Sequence, residues 1–188
     1  MAGLGSRTLR NTAVVLTARI ASRLLALFTI IVLEVHLRPA GFGLFGDIVN
    51  ISALSSVFLD AGFNTLFQRE AARRPGEPAR YLNNLLSGRL GFAVLAFAVF
   101  SGFLALTGKL PYLLPAFLMM VLASYSNLLR GALYAVQRLG FEAVAIVLES
   151  VVLLGLVFFG VATRQPVIYF LWAYAGSYGF LCAYFVVV

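Results

Sequence analysis

This sequence predicts an all-α polytopic membrane protein, and three observations predict it. Hydrophobic residues fill 62% of its 188 positions and charged residues only 11%, less than half of the roughly 25% charge found in soluble domains. Mean hydropathy is +0.97. The apolar runs reach about 20 residues or more, the length an α-helix needs to cross hydrocarbon, whereas barrel strands are about half as long and alternate in character.

Breaker clusters separate the runs: RPAGFG, RRPGEPAR, TGKLP, VQRLGF and TRQP, each rich in the residues that end helices. They delimit six transmembrane helices, near Thr12–His36, Leu44–Phe67, Leu82–Thr107, Pro111–Ala135, Glu142–Thr163 and Pro166–Val188. Pro111 and Pro166 fall at helix starts, where a missing N–H does no harm.

The first span carries Arg19 and Arg23, four residues apart and therefore stacked on one face. Thr8, Thr12, Ala26, Ile30 and Glu34 fall on the same stripe at 100° per residue. A charge at bilayer depth costs about 2.5–3.5 kcal/mol unless it meets water or a partner. Two readings stand for each arginine. It snorkels to the headgroups along its own aliphatic stem, or it faces a cavity holding acids, water or an anion. Arg23 lies roughly 15 Å along the helix, deeper than Arg19.

Lysine and arginine in the short loops set the orientation. Arg7 and Arg10, the Arg69–Arg80 loop, and Arg138 fall on one side; Arg38, Lys109 and Arg164 fall on the other, one per loop. The heavier side is expected to be cytoplasmic, with both termini inside and the chain embedded in the cell membrane. The Arg69–Arg80 loop reads equally as an amphipathic segment on the anionic leaflet or as a plain solvated loop.

In that frame Arg19, Arg23, Arg89 and Arg130 occupy the cytoplasmic half of their spans together with Asp60 and Glu149. Asp47 and Glu34 sit near the outer ends. Four arginines against two acids leave a positive surplus, which points to a cavity that receives an anion; snorkelling combined with ion pairing is the competing account. Asn64, Asn83, Asn84, Ser87, Ser124, Ser126 and Asn127 share this half. They serve as helix-packing glue or bind sugar hydroxyls, and the sequence does not separate the two.

Several functions are excluded. The single Cys182 and the single His36 leave no disulfide framework, no Cys or His metal cluster and no Ser-His-Asp triad. The basic residues form no aromatic-interleaved patch for nucleic acid. No Walker A loop is present, and no cofactor is implied. The start does not read as a signal peptide, because Arg19 and Arg23 interrupt its apolar stretch. Gly41-Phe42-Gly43-Leu44-Phe45-Gly46 matches G-x-G-x-x-G in letters, but it follows no strand and joins two membrane helices. Its glycines are expected to allow a tight turn and a close helix start. Gly176-Ser177-Tyr178-Gly179 is not a nucleophile elbow.

The run HLRPAGFGLFGDIVNISALSSVFLDAGFNTLFQREAAR resembles the start of the oligosaccharide flippases of polysaccharide and O-antigen export. Leu37, Pro39, Phe42, Gly43 and Phe45 match their first outer turn, Asp60, Gly62 and Phe63 the end of their second helix, and Arg69 and Glu70 the segment after it. Arg38 stands where that turn usually has glycine. LLRGALYAVQRLGFEAVAIVLES is similar to the family's fourth-to-fifth helix connection.

The family belongs to the multidrug/oligosaccharidyl-lipid/polysaccharide exporter superfamily, whose members place two six-helix lobes around a central cavity. The resemblance implies that residues 1–188 are the N-terminal lobe only, truncated, with the C-terminal lobe missing. It implies a flippase for polyprenyl-diphosphate-linked oligosaccharide working by alternating access. Arg19, Arg23, Arg89 and Arg130 would draw the diphosphate into a cytoplasm-facing cavity, with Asp60 and Glu149 orienting them. No bond is made or broken, so no enzyme is expected. Membrane lipids, the missing lobe and a glycan polymerase are the implied partners. A drug or cation exporter of the same superfamily and a non-transporting scaffold of a glycan-assembly complex are the alternatives.

The orientation is testable by labelling. In a Cys182→Ser background, single cysteines replacing Lys109 and Arg73 should react oppositely with an impermeant maleimide on intact cells. Labelling is expected at position 109 only; labelling at 73 from outside would reverse the topology.

Overall fold

The computed structural model describes residues 2–60, 62, 65, 78–135 and 139–187, with side chains from residue 13 onward except at 58, 78–87, 89, 90, 132, 134, 135 and 139. Among the described residues every regular element is helical: α1 (Ala2–Asp60), α2 (Pro78–Leu106), a 3-10 turn (Leu110–Tyr112), α3 (Leu113–Ala135), α4 (Leu139–Ala162) and α5 (Val167–Val187). Four of these stretches are long and apolar enough to cross a membrane, and Gly91–Leu106 is a shorter apolar helix.

α1 is where the structure departs most from expectation. Two helices separated by a glycine-rich turn were predicted, but Gly41–Gly46 are helical, and Gly43 and Gly46 have nothing within 4 Å of an added Cβ. One residue makes the break: Arg38, at φ 59 and ψ 167, just before Pro39. The chain reverses there. Arg23 and Ala53 line one cavity, whereas 30 residues of straight helix would hold them about 45 Å apart. Only Gly41 keeps the expected role, since its Cβ would lie 3.4 Å from Leu37 and 3.5 Å from Val167.

The two arms of α1 pack on different partners. The first runs parallel to α4, as successive contacts show: Arg19 with Glu142, Ser22 with Ser150, Phe28 with Phe158 and His36 with Gln165. The second meets α3 and α5, with Ile48 in one core with Met120 and Phe45 edge-on to Tyr174 at 5.3 Å. The end containing Arg38 is closed by a core of Leu33, Phe45, Ile48, Leu104, Met120 and Phe170. A smaller cluster of Leu133, Ala145, Leu181 and Phe185 holds α3, α4 and α5 together toward the opposite end. Leu24, Leu27, Ile31 and Val35 on α1 and Leu95, Val99 and Leu106 on α2 stay exposed, as lipid-facing side chains must. The predicted stripe therefore divides: Arg19 and Arg23 line the cavity, while Ile30 and Glu34 face outward.

At the Arg38 end the other two turns share one design. After α2, Gly108 takes φ 69, with Gly108 N–H donating to Ala105 O (3.2 Å) and Lys109 N–H to Leu104 O (2.9 Å). After α4, Arg164 takes φ 52, with Arg164 N–H donating to Val161 O (3.1 Å) and Gln165 N–H to Gly160 O (2.9 Å). These paired bonds satisfy the final carbonyls of each helix. Lys109 Nζ then reaches Asp47 at 3.0 Å. Gly160 is sterically required: an added Cβ would overlap the Tyr169 ring and come within 2.8 Å of Phe170.

Two stability predictions follow from backbone and packing. Arg38 occupies a region of backbone space almost exclusive to glycine, at a cost of order 1–3 kcal/mol; after the roughly 0.5–1 kcal/mol of extra backbone entropy that glycine loses, a gain of about 1 kcal/mol from Arg38→Gly should raise the thermal midpoint in detergent by roughly 2–4 °C. The fluorescence of Trp172, the single tryptophan, reports it. In the opposite direction, Gly160→Ala should destabilise by about 1–3 kcal/mol through overpacking, while Gly155→Ala, which has open space around it, should be neutral or better.

Candidate functional site

Small and polar residues at helical spacing build a cavity of about 510 Å³ from five helical segments. The first arm of α1 contributes Arg19, Ser22 and Arg23; the second contributes Val49, Ser52, Ala53 and Ser56. The second set repeats every three or four residues, so it forms one narrow face. From α3 come Met119, Ala123, Ser126, Asn127 and Arg130, from α4 Ile146 and Glu149, and from α5 Tyr178. α2 contributes no described side chain to this lining.

Three of the four predicted arginines, Arg19, Arg23 and Arg130, thus meet in one space with one of the two predicted acids, Glu149. Asp60, the last residue of α1, is half-buried and does not line the cavity. The side chain of Arg89 lies outside the described residues, as do those of Asn64, Asn83, Asn84, Ser87 and the predicted Arg69–Arg80 loop. Ser126 and Asn127 line the cavity, while Ser177 is buried and donates to Tyr174 O at 2.9 Å.

The charges are arranged unequally. Arg19 Nη2 reaches Glu142 Oε1 at 3.3 Å, with the Glu142 side chain fully buried and that of Arg19 54% exposed. Arg130 Nη2 lies 3.7 Å from Glu149 Oε2, a Coulombic contact too long for a hydrogen bond. Among the described residues Arg23 makes no ion pair. Among the described residues, three guanidinium groups against two carboxylates leave one net positive charge around the cavity. Two further polar atoms there are buried and have no hydrogen-bond partner among the described residues: Arg130 Nε and Ser52 Oγ. Across the helix interface the Ser22 and Ser150 hydroxyls share a 2.6 Å hydrogen bond.

Glu142 corrects the charge balance drawn from sequence, which counted only Asp60 and Glu149 against the arginines. It was read as the first residue of a span and given no partner. The available signal was its spacing: Glu142 and Glu149 are seven residues apart, two turns along one face of α4. Ser52, Ser56 and Tyr178 were likewise missed. The two serines were legible from their helical spacing with Val49 and Ala53; Tyr178 sits among aromatic residues of α5 and carries no distinguishing local signal.

Hydroxyls, an amide and guanidinium groups in a half-enclosed space suit reversible binding of a polar anion. No group of three or more metal-binding side chains occurs among the described residues. No curated protein and no solved structure matches the chain at a significant level. The family profile described as polysaccharide biosynthesis protein matches residues 8–187, nearly the whole sequence. With its long apolar helices, the chain is a multi-pass membrane protein and belongs to the polysaccharide biosynthesis protein family, a family of polysaccharide flippases.

Proposed function

We infer that the chain acts in moving a lipid-linked oligosaccharide, a polyprenyl-diphosphate glycan, from the inner to the outer leaflet of the cell membrane by alternating access. Family membership supports the class of cargo. The observation that carries the finer reading is Arg23: a cavity-lining guanidinium without an ion pair among the described residues, between two arginines that have acid partners. Arginine offers a planar fork of donors that matches phosphate oxygens bidentately. Arg23 takes the first contact with the diphosphate in this reading, Arg130 and Arg19 extend it, and Arg89 is the fourth contributor. The lipid tail stays in the bilayer between helices.

Counting the two arms of α1 separately and including α2 gives six spans, which supports reading residues 1–188 as one six-helix lobe. The cavity is then completed by a second lobe, and with both termini inside it opens to the cytoplasm. A cation exporter would place acids in excess; the described cavity has the opposite balance. Nothing in the reading makes or breaks a bond, so the arginines bind and do not catalyse.

A charge series at Arg23 tests it in a two-lobe transporter carrying this sequence, by restoration of surface glycan in a flippase-deficient strain. Lysine keeps the charge and loses the fork, so Arg23→Lys should retain partial activity. Arg23→Gln should lose about tenfold or more, the worth of a charge-assisted hydrogen bond of 1.5–3 kcal/mol. Arg23→Glu should be inactive. Expression of each variant is checked by immunoblot; normal glycan export by well-expressed Arg23→Glu would refute the cationic-cavity reading.

A further inference from the structure

The cavity has one spare positive charge among its described residues, whereas a diphosphate diester brings two negative ones. This mismatch rests on the reading above and has a chemical consequence. Among the described residues the second charge can be matched only if a guanidinium leaves its carboxylate, and the two carboxylates are not equally placed. Glu142 is fully buried behind Arg19 and is held at 3.3 Å; Glu149 stands on the cavity wall, 3.7 Å from Arg130. Arg130 also keeps a buried Nε–H with no partner among the described residues, so it has donor capacity left for an incoming oxyanion.

We propose that Glu149 is a proton-binding site linked to anion binding, taking up one proton from solvent when a diphosphate head draws Arg130 away from it. The groups around it are Arg19 and Arg23 on the first arm of α1, Arg130 on α3, Tyr178 and Cys182 on α5 and, on its own helix, Glu142. The second arm presents only Val49, Ser52, Ala53 and Ser56, none of them a cation. Once phosphate oxygens occupy Arg130 and Arg23, Glu149, at 19% exposure, has a like charge beside it and has lost its counter-ion. A carboxylate so placed becomes neutral instead of remaining charged. The proton goes onto a carboxylate oxygen of Glu149, and no bond of the ligand changes. Because the bound state holds more protons than the free state, lower pH favours binding. Transfer of the head would then carry a proton with it.

Calorimetry on a two-lobe transporter carrying this sequence, in detergent, tests this, with farnesyl-diphospho-glucose as the probe because its phosphates keep constant charge over the working pH range. Titrations in buffers of different ionisation enthalpy count the protons taken up. Wild type should take up about one per ligand at neutral pH, and its affinity should rise up to about tenfold per pH unit as pH falls. Glu149→Gln should bind with no uptake and a flat pH profile; Glu142→Gln should retain the uptake. Binding without uptake by wild type overturns the linkage and leaves the head-group reading intact. Uptake persisting in Glu149→Gln overturns the assignment to Glu149, and no binding by any of these proteins overturns the head-group reading itself. Should Glu149→Gln fail to fold, Arg130→Gln decides: it removes the counter-ion in advance, so uptake on binding must fall toward zero, and undiminished uptake refutes the proposal.

Discussion

Hydrocarbon offers backbone groups nothing to bond with, and that constraint shapes every described turn. An unsatisfied N–H or C=O at membrane depth costs several kcal/mol, so helices continue up to the residue that reverses them. The break in α1 is confined to Arg38. After α2 and α4 the closing hydrogen bonds to Leu104, Ala105, Gly160 and Val161 carbonyls leave short connections. Tight turns hold neighbouring helices close, and close helices bring side chains 30 residues apart in α1 onto one cavity wall.

The same demand applies to the charges, with a less complete solution. Buried ions are expensive to desolvate, and removing one partner of a buried pair costs about 3–5 kcal/mol. Arg19 pairs with the fully buried Glu142 carboxylate. The Arg130–Glu149 contact is looser and lies on the cavity wall, and Arg23 is left to the open space. The arrangement grades from a fixed pair through a loose pair to a single cation. A purely structural network has little reason to stop short of pairing its last member.

Much of this was legible in the sequence. The length of the apolar runs and the Gly/Pro punctuation located α2, α3, α4 and α5 within a few residues, whereas α1 begins at Ala2, ten residues before the expected Thr12; the depth of Arg19, Arg23, Arg130 and Glu149 put them in one half of their spans. What failed did so for identifiable reasons. Gly41–Gly46 looked like a loop because three glycines in six residues are turn chemistry in water; in a bilayer the helix persists through them, and the reversal falls on an arginine that no propensity scale would select. Glu142 was overlooked because a helix-start acid normally serves the helix dipole, and its partner lies 123 residues away. The division of the first-span stripe between cavity and lipid depends on how α1 rotates against α4, which periodicity alone does not fix.

The single-residue break at Arg38 also makes the first arm of α1 a lever. Arg23 is 15 residues from it, about 22 Å of helix, and the arm meets its neighbours largely along one side. A tilt of only about 5° about that point carries the Arg23 backbone roughly 2 Å, enough to make or break a guanidinium–phosphate contact. The glycine region of backbone space gives no side chain a deep well in which to lock that angle. The position of the cation is thus set at a distance, by whatever leans on the arm.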